Sequence, residues 1–262
     1  MKIVLLRRYV LLAVMLLFFS QFFKVKALVG GLSGSLAVWS ITLIDVFACF
    51  EISIASRDFT RQAFFSVTPL IGIYLIFGRA FCGWVCPMDF LFELINKARN
   101  WQKMRLAIPP LAGYIIVFLF LAISFFVEMP VFTNYISHLT NFFRMLTGGV
   151  FISLKLPADT TVFYFSGGAI FLLLVLEFFF PRLWCRVLCP LGKTYGLFNK
   201  VSLLKLRIKS EKCVRCNACE QVCYMDVRIF STDKSVLRDT NCIYCGRCTE
   251  SCGERIIKMS LR

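Results

Sequence analysis

Four long apolar runs constrain this chain more than any other feature. They cover Tyr9–Phe23, Ala63–Gly78, Leu111–Val127 and Thr161–Phe180. Each is close to the ~20 residues with which a helix crosses the hydrocarbon core of a membrane. Of the 262 residues, 58% are hydrophobic, and the mean hydropathy of +0.74 lies outside the range of ordinary soluble domains. The sequence therefore predicts an α-helical membrane protein with four transmembrane helices.

Lysine and arginine predict which side of the membrane each segment faces. They are concentrated at Lys2, Arg7 and Arg8, in the loop from Lys97 to Arg105, and in the tail from Arg182 onward. Because positive charge stays on the cytoplasmic side, both termini and the middle loop are predicted to be cytoplasmic, with segments 24–61 and 128–160 outside. We expect a multi-pass protein of a bacterial cytoplasmic (inner) membrane. This topology accounts for the net charge of +15, so no nucleic-acid partner is predicted.

A fifth apolar run, Gly34–Phe50, challenges the count of four. It contains Asp45 and follows a cluster of glycines. A spanning helix at this point would put the basic stretches on opposite sides of the membrane. We therefore expect a re-entrant or interfacial segment here.

The chain contains an internal repeat. Phe81–Pro87 matches Trp184–Pro190, which lies 103 residues later, and Leu94–Lys97 matches Leu197–Lys200 at the same offset. This predicts two copies of a helical hairpin, about 1–104 and 105–205, each ending in C-x-x-x-C-P. Hairpins duplicated in the same orientation are related by an axis along the membrane normal.

The two repeats place four cysteines at one membrane level: Cys82, Cys86, Cys185 and Cys189. Two thiols four residues apart share a face if the segment is helical, and the proline that follows suits the first turn of a new helix. Three interpretations stay open: a third iron–sulfur cluster or other metal site, a redox thiol or sensing role, and packing at a helix junction. A structural disulfide is disfavoured in a reducing cytoplasm.

The polar tail carries two identical cysteine patterns that read C-x2-C-x2-C-x3-C. This is the spacing of bacterial ferredoxins, in which the fourth cysteine of each run binds the other cluster. It predicts a two-cluster ferredoxin-like α+β domain over 206–262, after a membrane domain over 1–205. One [4Fe–4S] cluster is assigned to Cys213, Cys216, Cys219 and Cys252. The other is assigned to Cys242, Cys245, Cys248 and Cys223.

Other metal centres fit the sequence less well. Zinc ribbons use paired C-x2-C knuckles and would leave the third and fourth cysteines of each run without a role. Covalent c-type haem needs C-x-x-C-H, which is absent, and the single histidine excludes a bis-histidine haem. Tyr224 and Gly253 replace the usual proline after the fourth cysteine, which affects loop geometry rather than the number of ligands.

These motifs together resemble those of the NapH-type membrane polyferredoxins, within a wider group that includes NosR and CcoG types. The resemblance covers nearly the whole chain and rests on the two C-x-x-x-C-P motifs and on Asp239–Cys248. It implies a four-helix membrane subunit that oxidises menaquinol or a similar quinol and passes electrons through cytoplasmic clusters. The implied partner is a ferredoxin-like subunit or a c-type cytochrome that feeds a terminal reductase of anaerobic respiration.

Two other functions are compatible with the ferredoxin-like tail. One is a metal-ion reductase or maturation factor that supplies electrons for metalloenzyme assembly, as in a CcoG- or NosR-like role, with C-x-x-x-C-P as the metal contact. The other is a membrane redox sensor. Only the resemblance favours a quinol dehydrogenase subunit over these two.

A quinol site needs an apolar slot near one membrane face and groups that take up two protons. Asp45, Glu128 and His138, in the predicted external segments, are the candidate proton acceptors. A lone histidine is more often an interfacial residue with satisfied hydrogen bonds. Glu177, inside the fourth run, is an unusual placement for a carboxylate, but it is close enough to the end of the run to pair with Arg182 or Arg79.

Overall fold

The computed structural model describes residues 3–20, 29–30, 35–38, 41–58, 61–98, 108–157, 159–209, 211, 213–229 and 235–261. The helices are α1 (Ile3–Ser20), α2 (Val46–Ser56), α3 (Arg61–Phe77), α4 (Ala80–Trp84), α5 (Pro87–Ala98), α6 (Pro110–Val127), α7 (His138–Ser153), α8 (Thr160–Phe179), α9 (Pro190–Phe198), α10 (Ala218–Gln221) and α11 (Arg247–Ser251). The strands are β1 (Val29–Gly30), β2 (Ser35–Val38), β3 (Ile41–Ile44), β4 (Leu204–Ile208), β5 (Val236–Leu237) and β6 (Ile257–Leu261).

Each of the four predicted apolar runs forms a helix, namely α1, α3, α6 and α8. Among the described residues, α1 and α8 are long and apolar enough to cross a membrane, whereas the apolar helical stretches Ala63–Phe77 and Leu111–Val127 are shorter. A 17-residue helix such as α3 rises about 26 Å, less than the ~30 Å of a hydrocarbon core. Residues 21–23 of the first run and 99–107 of the basic middle loop lie outside the described residues.

The fifth apolar run does not form one continuous helix. Its described parts are β2 and β3, which pair antiparallel with Ser35 opposite Ile44, followed by the start of α2. Asp45 ends this hairpin and caps α2, accepting hydrogen bonds from the main-chain N–H groups of Phe47 and Ala48 at 3.0 and 3.2 Å. Polar capping of this kind is the usual start of a helix, and it interrupts what hydropathy alone presents as one run.

The two C-x-x-x-C-P motifs end with the same main-chain hydrogen bond. The first follows α3 and contains α4, and the second follows α8 as a π-helical turn over Trp184–Leu188. In both, the N–H of the second cysteine reaches the carbonyl five residues earlier: Cys86 to Phe81 at 3.2 Å, and Cys189 to Trp184 at 2.8 Å. The prolines that follow begin α5 and α9, as the sequence predicts.

The tail folds around a three-stranded antiparallel sheet in the order β5-β4-β6. Strand β4 begins at Leu204, next to the predicted boundary at 205/206. It pairs along its length with β6, with Leu204 opposite Leu261 and Ile208 opposite Ile257. Leu206, Ile208 and Ile243 are among the buried residues of the core that this sheet shares with the cysteine loops.

Asn199 joins the tail to the helical part. Its Oδ1 accepts the main-chain N–H of Arg79 at 2.7 Å, and its Nδ2 donates to the carbonyls of Asp239 and Cys242 at 2.9 and 2.8 Å. Two glycines allow the same close approach, since a Cβ on Gly83 or Gly196 would lie 2.5 or 2.3 Å from a carbonyl oxygen of the tail. The tail is therefore docked directly on both motifs.

We predict that Asn199→Ala loosens this junction. The substitution leaves a buried main-chain N–H and two carbonyls without their partner, at a cost of about 1–3 kcal/mol in unfolding free energy. The measurement is the thermal denaturation midpoint of detergent-purified protein, with Lys200→Ala, an exposed neighbour, as the control. Equal midpoints for the two variants would contradict this role of Asn199.

Candidate functional site

The eight tail cysteines line two cavities. Each cavity takes three cysteines from one run and the fourth from the other run. The members are Cys213, Cys216, Cys219 and Cys252 in one, and Cys242, Cys245, Cys248 and Cys223 in the other. These are the sets that the ferredoxin spacing predicts, and the binding of one [4Fe–4S] cluster to each set stays a prediction.

The two cysteine runs repeat one backbone conformation. Arg215 and Asn217 in the first run have φ angles of 51° and 59°, and Tyr244 and Gly246 in the equivalent positions of the second have φ angles of 50° and 78°. Left-handed residues in such loops turn successive N–H groups toward one side, which favours an anionic ligand. Both loops thus suit the same kind of negatively charged group.

Two of the tail thiols, Cys219 and Cys248, have pKa values well above the ordinary value of a cysteine. Burial raises the pKa of Cys219 to about 11 and the pKa of Cys248 to about 12. Main-chain hydrogen bonds oppose this effect by lowering the pKa of both thiols. Metal binding at these sulfurs therefore releases protons.

The four cysteines of the C-x-x-x-C-P motifs line a third cavity. Burial is the main cause that raises the pKa of all four thiols, and each is raised further by a neighbouring thiol or acid. The pKa of Cys189 rises to about 12, and Cys185 interacts electrostatically with both Cys189 and Cys86. The two motifs therefore present their thiols to one shared space.

The number of thiols in each cavity indicates the kind of group that the cavity suits. In the part of the chain that the structure describes, no three cysteine, histidine or acidic side chains converge as ligands of one metal ion. A tetrahedral zinc site requires that convergence. Four thiols line each of the three cavities, which is the number of thiolates that one [4Fe–4S] cluster takes.

Two arginines at equivalent repeat positions flank the third cavity. Arg79 and Arg182 are each 1% exposed and both line the space between the cysteines. Arg182 forms an ion pair with Asp89. Arg79 instead donates to the carbonyls of Thr240, at 3.0 Å, and of Cys185, and among the described residues it has no carboxylate partner.

A network of buried charges surrounds Arg182. Arg7 of α1 lies 3.2 Å from Asp89 and also pairs with Glu93. Glu93 is 2.7 Å from Arg247 of the tail. The network connects α1, α5, the second motif and α11. It also borders the cavity that is lined by Cys223, Cys242, Cys245 and Cys248.

Asp45 is buried beside the third cavity. The phenol O–H of Tyr195, which lines that cavity, donates to Asp45 Oδ1. Burial raises the pKa of Asp45 from 3.8 to about 7, and its main-chain hydrogen bonds act in the opposite direction. A carboxyl group with this pKa gains and loses a proton near neutral pH.

His138 contacts both motifs. The indole N–H of Trp184 donates to His138 Nδ1 at 3.0 Å, and His138 Nε2 lies 3.8 Å from Cys86 Sγ. Because Nδ1 accepts a hydrogen bond, the neutral ring carries its proton on Nε2, which faces the sulfur. Burial lowers the pKa of His138 to about 4, so the ring is neutral at physiological pH.

The remaining acidic residues lie elsewhere. Glu128 is exposed and forms an ion pair with Arg57 at 3.1 Å. Glu51 is fully buried and accepts the main-chain N–H groups of Phe132 and Thr133, which is a structural role. Glu177 accepts the main-chain N–H of Arg182 at 2.9 Å, which is one of the two pairings that the sequence suggests.

The sequence places Asp45, Glu128 and His138 in external segments, and the structure brings two of these three candidates to the motif cysteines. Asp45 and His138 contact residues at the motifs, because α2 and α7 begin there and run away from them. Sequence reasoning also missed Tyr195 and Trp184 as the partners of these groups. The internal repeat could have identified Arg79 and Arg182 as residues of the site, because each lies three residues before the first cysteine of a motif.

Comparison with known proteins adds independent information. The family described as "4Fe-4S binding domain" matches residues 63–105 and 162–209. Each matched segment contains one C-x-x-x-C-P motif, and the eight cysteines from Cys213 onward lie outside both. No solved structure matches the chain.

Three relatives illustrate the similarity. Two uncharacterised proteins of Methanocaldococcus jannaschii are 31% and 32% identical over 73% and 74% of this chain, and the matches cover 76% and 70% of their own lengths. A ferredoxin-type protein NapH of Haemophilus influenzae is 28% identical over 98% of this chain and 88% of its own length. Together with the cysteine motifs and their geometry, these matches show that the chain belongs to the NapH-type family of iron–sulfur ferredoxin proteins.

Proposed function

We propose that this protein is a multi-pass membrane subunit that oxidises a quinol and delivers the electrons to a protein partner by way of [4Fe–4S] clusters. Oxidation of one quinol to the quinone releases two electrons and two protons. A [4Fe–4S] cluster bound by four thiolates takes up and gives back one electron at a time. The similarity to ferredoxin-type proteins supports an iron–sulfur electron-transfer role. The quinol substrate and the protein partner are additional parts of the proposal.

The observation that carries this proposal is that the three cysteine cavities share walls in series. Arg182, Met225 and Ile243 line both the cavity of the motif cysteines and the cavity of Cys223, Cys242, Cys245 and Cys248. Ile229 lines both this second cavity and the one of Cys213, Cys216, Cys219 and Cys252. The series begins among the apolar helices and ends at the exposed Cys216. One end is thus suited to a lipid-soluble donor and the other to a protein acceptor.

Four spanning helices with both termini in the cytoplasm are part of the proposal. The start of α1 contacts the tail, since Val4 N donates to Glu250 at 2.8 Å. The ends of α3 and α8 lead directly into the motifs on which the tail is docked. Large apolar side chains on these helices and on α6 are exposed, for example Phe65 at 73%, Phe118 at 73% and Leu172 at 69%. Such surfaces are unusual in water and suit contact with lipid.

A third cluster on Cys82, Cys86, Cys185 and Cys189 is also proposed. The strongest support is electrostatic, because Arg79 is buried without a carboxylate partner in the described part of the chain. An unpaired buried charge costs several kcal/mol. Four thiolates around a cluster bring net negative charge to this cavity, which would compensate Arg79 where hydrogen bonds to carbonyls do not.

Reduction by a quinol tests the proposed function. In detergent-purified anaerobic protein, we expect electron paramagnetic resonance signals of reduced [4Fe–4S] clusters after addition of menadiol, a two-ring hydroquinone. Dithionite serves as the full-reduction control. The Cys49→Ser variant, which changes a cysteine outside the three cavities, should behave like the unmodified protein. Signals that appear with dithionite alone would contradict quinol oxidation by this chain.

Arg79→Gln should lower the midpoint potential of the centre at the motif cysteines. Removal of a nearby positive charge makes uptake of an electron less favourable, so we expect a fall of some tens of millivolts. The measurement is an anaerobic redox titration followed by electron paramagnetic resonance. Lys200→Gln removes an exposed positive charge and is the control, and an equal shift in both variants would argue against a specific effect of Arg79.

Asp45→Asn should change how stability depends on pH. Because burial raises the pKa of Asp45 from 3.8 to about 7, the folded protein holds a proton that the unfolded chain releases. The unmodified protein therefore loses stability as pH rises from about 4 to 7, by on the order of a few kcal/mol. The variant lacks this loss of stability. The difference between its thermal midpoint and that of the unmodified protein should therefore shift in favour of the variant between pH 5 and pH 8.

The control for Asp45→Asn is Glu128→Gln, which changes an exposed carboxylate. Its midpoints should follow the pH dependence of the unmodified protein. Parallel curves for Asp45→Asn and the unmodified protein would show that Asp45 is ionised in the folded state throughout this range, and would remove it as a proton acceptor near neutral pH.

A further inference from the structure

A large cavity lies between α7 and α8. It has a volume of about 450 Å³, within the range of ~300–1,000 Å³ for small-molecule sites. Most of its wall is formed by leucine, isoleucine, valine and phenylalanine side chains, including Leu173, Val175 and Phe179. The occupant must therefore be mainly apolar, and α8, which forms much of the wall, carries exposed apolar side chains that suit contact with lipid.

One part of this cavity wall adjoins the motif cysteines. His138 lines both this cavity and the cavity of Cys82, Cys86, Cys185 and Cys189. Trp184, its hydrogen-bond partner, also lines the apolar cavity and directly precedes Cys185. A ligand in the apolar cavity is thus separated from the thiols of both motifs by a single layer of side chains.

The polar groups of the wall are few and already ordered. Asn141 Nδ2 donates to the carbonyl of Tyr135 at 2.8 Å, and its Oδ1 accepts the hydroxyl of Ser166 at 3.1 Å. The wall therefore combines a large apolar area with the polar atoms of a few side chains, namely Tyr135, His138, Asn141 and Trp184.

We propose that this cavity binds the ring of a lipid-soluble hydroquinone, with one ring edge against His138 and Trp184. A planar two-ring compound fits the volume and the apolar wall, and its redox chemistry explains why the cavity adjoins the thiols. A lipid acyl chain would account for the apolar wall but not for this position. The proposal concerns binding, and it rests on quinol oxidation as the proposed function only for the identity of the ligand.

The test fills the cavity with a side chain. Ala169 of α8 lines it, and Ala169→Phe places a ring inside. The control is Gly168→Phe, since Gly168 is exposed on the same helix and a Cβ there meets nothing within 4 Å. Val175→Phe, six residues further along the same wall, is a second filling variant in case Ala169→Phe does not fold. Iron content and the dithionite-reduced spectrum establish that each variant is intact.

Two measurements are made on each protein. Saturable quenching of tryptophan fluorescence by menadione, the oxidised form of the probe, reports binding. The rate of cluster reduction by menadiol reports use of the bound ring. We expect Ala169→Phe to weaken binding and slow reduction by at least about tenfold, and we expect Gly168→Phe to match the unmodified protein.

The outcomes separate this site from the proposed function. Normal menadione binding in both intact filling variants would overturn the site, even if menadiol reduces the clusters. Saturable binding that is lost on filling would support the site, even if menadiol failed to reduce the clusters and the proposed function fell. No saturable quenching in the unmodified protein would also overturn the site.

Discussion

The burial of positive charge between the helices and the tail is the constraint on which this structure depends. Arg7, Arg79 and Arg182 are each at most 3% exposed, and a buried charge is tolerated only when it is compensated. Asp89 and Glu93 compensate Arg7 and Arg182. Among the described residues, Arg79 donates hydrogen bonds to carbonyl and amide oxygens and has no carboxylate partner. The cluster proposed at the motif cysteines would compensate Arg79, so that the charge that helps to position the tail would also favour cluster binding.

These charges also explain a departure from the ferredoxin pattern. Tyr224 stands where a proline usually follows the fourth cysteine, and its ring lies 4.1 Å from the guanidinium carbon of Arg247 and 5.5 Å from that of Arg182. Cation–π contacts of this kind stabilise arginine side chains that are partly or fully removed from water. The tyrosine thus helps to hold the tail against the second motif, a role that a proline does not fill.

The sequence predicted the features that depend on local pattern. The four apolar helices, the helix starts at Pro87 and Pro190, and the partition of the tail cysteines into two sets all follow from spacing and hydropathy. The positions of Asp45 and His138 do not, because hydropathy assigns a segment to a side of the membrane and not to a depth. Capping by Asp45 divides the fifth run into a hairpin and α2, and only tertiary packing brings the first residues of α2 and α7 to the cysteines.

The central claim is that three thiolate sites form one series from the apolar helices to the exposed end of the tail. Mössbauer spectroscopy on anaerobically purified, iron-isotope-labelled protein tests it most directly, because it counts cluster irons by type. The account predicts three [4Fe–4S] clusters per chain, with one lost in a Cys86→Ser and Cys189→Ser double variant and none lost in Cys49→Ser. Two clusters in the unmodified protein, unchanged in the double variant, would contradict it.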